Sequence, residues 1–164
     1  MIRPARRHLE GGGNLAGAIY GTILVTSVVA AADSSDAIWQ SLGIVEVTVL
    51  VFWLAHVYAH ALAWSLDSEE PFSARELRPI ARKEWPLLQA AVVPTIALVA
   101  GGVGLSRTQT AYWLAIGYGV VALVWWGLLI ARKERLSLPV TCALVAANAS
   151  FGLVIVLLKE FVNH

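Results

Sequence analysis

WQSLGIVEVTVLVFWLAHVYAHALAW, residues 39–64, decides how the rest of the chain is read. A helix rises ~1.5 Å per residue and ~20 apolar residues span the ~30 Å of a bilayer core, so the stretch is long enough to cross a membrane. It nevertheless carries Glu46, His56 and His60. A charge at the membrane centre costs roughly 2.5–3.5 kcal/mol on insertion scales, so such side chains turn towards a bundle interior or a wet cavity and mark a functional position by default.

The composition around this stretch is of the same kind. Of 164 residues, 58% are hydrophobic and 14% charged, against ~45–50% and ~25% in soluble domains, and the mean hydropathy is +0.69. These values imply an all-α, polytopic membrane protein forming one bundle, with no room for a separate soluble domain. Apolar runs place five transmembrane helices at about 15–32, 38–66, 87–105, 111–131 and 138–158.

Local signals punctuate the runs. Ala30-Ala31-Ala32 imitates a signal-peptidase site, but the uncharged run from Leu15 is longer than the ~7–15-residue core of a signal peptide and is read as a span. Asp33-Ser34-Ser35-Asp36 is a turn able to cap the second helix. Ser73 and Glu76 form a capping-box pattern. They start a short cytoplasmic interfacial helix in which Arg75, Arg78, Arg82 and Lys83 oppose Phe72, Leu77, Ile80 and Trp85, with an interruption expected at Pro79. Pro94 is expected to kink the third span.

The bases set an orientation. Arg3, Arg6, Arg7, Arg75, Arg78, Arg82, Lys83, Arg132, Lys133 and Arg135 fall on one side of the five-span layout, and only Arg107 and Lys159 on the other. A positive-inside bias of this size predicts a cytoplasmic amino terminus, an external carboxyl terminus and residence in a cell (inner) membrane. Trp39, Trp64, Trp85 and Trp113 stand at predicted span ends, where an indole is half wet.

At ~100° per residue, Glu46, Trp53, His56, His60 and Trp64 fall within about 80° of one another, giving the second helix one polar and aromatic side. Along the axis, Glu46 stands ~21 Å from His60 and ~15 Å from His56, so other groups must close the gaps. Matching depths between antiparallel spans pairs Glu46 with Tyr118, groups His60 with Tyr20 and Gln89, and sets Asn148, Thr95 and Thr26 near the midplane. Tyr58 lies between the two histidines. Thr22 and Thr26 are expected to bond the carbonyl one turn back.

Three chemistries compete for this set. Imidazole and a buried carboxyl both change charge near neutral pH, which suits proton passage or sensing. His56 and His60, four residues apart, can present two nitrogens to Zn, Cu, Ni or Fe, but a stable site needs a third ligand from Cys142, Asp67 or a symmetry mate. Haem held by histidines of separate helices would need a dimer. The structural alternative has neutral imidazoles bonding helices together.

The chain lacks HExxH, GxSxG and a Walker loop, which argues against the enzymes those motifs serve. Cys142 is the sole cysteine, so no intrachain disulfide exists. Gly13, Gly17 and Gly21 recur every four residues and form a close-packing face, expected to join copies into a homo-oligomer. A lipid bilayer is the other expected partner, and nucleic acid is not. The leading expectation is an oligomeric passage or sensor for a small cation, foremost protons; a metal or haem protein and a non-conducting accessory subunit are the alternatives.

Overall fold

The computed structural model describes residues 6–32, 37–68 and 74–162. Among them the chain is all helix: α1 Arg6–Ala31, α2 Ile38–Ser68, α3 Ala74–Lys83, α4 Trp85–Gln89, α5 Val92–Gly102, α6 Thr108–Lys133 and α7 Leu138–Val162. Four segments are long and apolar enough to cross a membrane, namely Ile38–Leu66, Trp85–Gly102, Thr108–Lys133 and Leu138–Phe161, while Leu15–Ala31 is a shorter apolar helix. The expected capping turn at 33–36 and Ser73 of the capping box lie outside the described residues.

Of the two proline expectations, the one at Pro79 needs correction. Pro79 sits in the middle of a continuous α3, where the hydrogen it lacks is the one that would reach the carbonyl of residue 75. The chain breaks instead at Glu84, just ahead of Trp85-Pro86, where proline suits the first turn of α4. The third span is split at Ala90 and Ala91, one turn before Pro94, because that ring leaves the Ala90 carbonyl without its donor and crowds it.

The centre of the bundle is not the histidine-bearing helix. α6 packs on α1, α5 and α7, and α1 on α2, α4, α6 and α7. Of the best membrane-spanning window, 39% is buried in α6 and only 17% in α2, so α2 lies on the rim. Lipid tails are as apolar as a protein core, so hydropathy cannot tell the two surroundings apart. What centres α6 is a stripe of small buried residues every fourth position, Ala111, Ala115, Gly119, Gly127 and Ala131, with Leu123 completing the row. Thr26 of α1 fills the space at Gly119, and Asn148 of α7 lies against Gly127.

The glycine face of α1 is also spent inside the chain. A Cβ at Gly21 would meet the Leu87 carbonyl oxygen at 2.7 Å, and one at Gly17 would lie 3.8 Å from Glu84 Oε2. Gly21 therefore seats α4 within the chain, with Gly17 in ordinary contact beside it; the side of Gly13 lies outside the described residues. At the opposite end Lys159, 1% exposed, donates to the Ala32 carbonyl and stands 5.4 Å from the centre of the Tyr112 ring. Tyr112 in turn donates to Ser41 Oγ at 2.6 Å, tying α7, α1, α6 and α2 together.

Gly21→Ala should lower stability by about 1–3 kcal/mol, because its methyl meets backbone that cannot step aside. Gly43→Ala, with nothing within 4 Å of its Cβ, should be neutral or stabilising by up to ~1 kcal/mol. Thermal unfolding of the two variants in detergent compares them directly, and equal midpoints would contradict the seating of α4 on α1.

Candidate functional site

Two of the ionisable groups on α2, Glu46 and His60, meet partners on α5 and at the start of α4 while remaining exposed, and the third, His56, is half-buried against Tyr20 of α1. In the first third of α2, Thr95 Oγ1 donates to Oε1 of the exposed Glu46. Nearer the end of α2 that follows His56, His60 Nδ1 lies 3.4 Å from Glu84 Oε1. The two strands of this pairing run antiparallel: 14 residues of α2 separate Glu46 from His60, ~21 Å, and 11 residues separate Glu84 from Thr95, ~16 Å. The expected Glu46–Tyr118 pairing is replaced by Glu46–Thr95, since depth alone left the azimuth of α6 unspecified.

Glu84 is the residue that sequence reading passed over. Its side chain is 5% exposed against 49% for His60, and it lies opposite Gly17 of α1. A signal was present: Glu84 is an acid between a basic stretch and the Trp85-Pro86 start of an apolar run.

His60 belongs to a cavity of about 310 Å³ lined by Ala16, Gly17, Tyr20, His56, His60, Lys83 and Glu84. Tyr20 stacks obliquely on His56, with ring centres 4.9 Å apart, and on Phe52 at 6.1 Å. His56 Nδ1 donates to the Phe52 carbonyl at 2.9 Å, and His60 Nδ1 to the His56 carbonyl at 3.1 Å. A carbonyl only accepts, so Nδ1 carries a proton in both rings and Nε2 is the atom left to take up or release one.

The other candidates scatter. Tyr58 is 69% exposed on the opposite side of α2. Gln89 and Tyr118 line a different cavity, with Thr22 and Lys133. Asn148 donates from Nδ2 to the Leu144 carbonyl of its own helix at 2.9 Å. Thr22 and Thr26 bond the Ala18 and Thr22 carbonyls at 2.7 and 2.6 Å, as their spacing implied. Among the described residues, no group of three or more His, Cys, Asp or Glu side chains comes together to hold a metal ion. Cys142 is exposed on α7, and the side chain of Asp67 is outside the described residues.

The chemistry open to this arrangement is proton exchange at a partly wet imidazole beside a sheltered carboxylate, with Lys83 as the neighbouring charge. Nitrogen-15 spectra of labelled histidine in the neutral state should show the Nδ1–H tautomer at both His56 and His60. An Nε2–H tautomer at either would break the helix-internal bond assigned to it. No protein-family model, curated protein or solved structure matches the chain.

Proposed function

We propose that this is a five-crossing inner-membrane protein, amino terminus cytoplasmic, that takes up protons at the His60–Glu84 pair and exchanges them with Glu46 further along α2. Leu15–Ala31 supplies the fifth crossing, and α3 lies at the cytoplasmic interface with its exposed Arg78, Arg82 and Lys83 towards anionic headgroups. Ten of the twelve bases on one side carry the orientation.

The observation that carries the reading is a buried carboxylate 3.4 Å from an imidazole that borders a cavity. Membrane proteins keep such pairs at sites of ion or proton traffic, because an ionisable group held in the bilayer is otherwise a net cost. A second feature concerns the gap along α2. Trp53, seven residues from both Glu46 and His60, holds its indole Nε1 buried with no acceptor among the described residues. An unanswered buried donor costs roughly 1–3 kcal/mol, so this is a fitting place for a bridging water.

An accessory, non-conducting role is the second reading, and it is favoured by the bonds that hold both imidazoles to their own helix. Proteoliposomes carrying a pH-sensitive dye separate the two. Proton flux should fall to roughly a tenth or less in Glu84→Gln and in His60→Ala, in keeping with the ~10²–10⁴ that a positioned proton-transfer group contributes. Glu46→Gln should slow it as well. Flux unchanged in all three variants would end the proton reading; no flux in the parent protein, with loss of thermal stability in Glu84→Gln, would assign the pair to scaffolding.

A further inference from the structure

A second cavity, of about 550 Å³, opens between α1, α4 and α6 and shares no lining residue with the His60–Glu84 site. Its volume falls within the ~300–1,000 Å³ usual for small-molecule sites. The groove follows α6 from Tyr118 to Lys133, about 22 Å at the helical rise. Its apolar wall includes Trp126 and Leu129 of α6 and Leu15 of α1. This is the shape of a slot for an extended hydrocarbon chain.

The polar groups along it are arranged by depth. Lys133 closes one end, in the last turn of α6 beside Arg132. Gln89 stands one turn, ~6 Å, further into the span than Trp85, whose half-exposed indole marks the span end. Neither Lys133 nor Gln89 has a hydrogen bond or ion pair among the described residues. A cation at the rim with an amide one turn below it matches a molecule that carries an anion at its head and ester carbonyls just beneath.

We propose that this groove holds one acyl chain of an anionic phospholipid, with the phosphate on Lys133 and an ester carbonyl accepting from the Gln89 amide. Charge selects the class: a zwitterionic lipid brings its own cation to the place Lys133 occupies. Free phosphate, by contrast, leaves the hydrocarbon slot unfilled. The proposal rests on the membrane placement of the helices and is independent of proton exchange at His60, so either can fail alone.

The test is native mass spectrometry of the full-length protein in detergent, titrated with phosphatidylglycerol or phosphatidylcholine of identical chains. Phosphatidylglycerol should bind about fivefold more tightly, the factor that one cation near an anionic lipid surface supplies. Lys133→Gln, a change at an exposed helix end, should erase that preference, while Arg107→Gln at the far end of α6 keeps it. Leu129→Trp, which fills the slot, should reduce retention of both lipids. Equal affinity for the two lipids overturns the proposal, as does a preference that survives Lys133→Gln. Complete displacement of phosphatidylglycerol by excess inorganic phosphate would also overturn it, since the headgroup alone would then account for binding.

Discussion

The close approach of α4 to α1 is the contact on which the rest of the molecule turns. Gly21 presents hydrogen where other residues present carbon, and the Leu87 backbone occupies the space so released. Dispersion across such a contact is what holds helices together where lipid offers equally good apolar surroundings. The same approach carries Glu84 into the interior, within reach of His60, and creates a cavity on either side of the α1–α4 seam. One packing decision thus sets both the polar site and the apolar groove.

Polar groups elsewhere are answered by partners from distant parts of the chain. Thr95 meets Glu46, the end of α1 meets Lys159, and Ser41 meets Tyr112. Each partner removes part of the cost of holding a polar atom away from water, and each joins helices far apart in sequence. These bonds complement the small-residue stripe of α6, which brings backbones together but specifies no register on its own. Trp53 Nε1 and Ser106 Oγ are the two buried side-chain atoms left without a partner among the described residues. The first stands midway along the line of ionisable groups on α2.

That line illustrates how far pattern reading reaches. A 100° step places Glu46, His56 and His60 within one sector of α2, because helical periodicity is a property of the backbone and not of its neighbours; in the structure Glu46 and His60 are exposed and His56 is half-buried. The partners on the facing helices were not legible. Tyr118 has a depth suited to Glu46, yet Thr95 takes the position, and the residue opposite His60 is an acid that reads locally as part of a charged interfacial turn.

All-helical architecture, the boundaries of α2, α6 and α7 to within a few residues, and the back-bonding of Thr22 and Thr26 were determined by sequence alone. They follow from hydrogen bonding and side-chain period within single segments. Which helix is central, which partner meets each ionisable side chain and what the α1 glycines pack against were decided only by tertiary structure. In a chain whose lipid-facing and protein-facing surfaces are equally apolar, hydrophobicity carries no azimuth, and only the fit of small residues against opposing backbone selects one rotation of each helix over another.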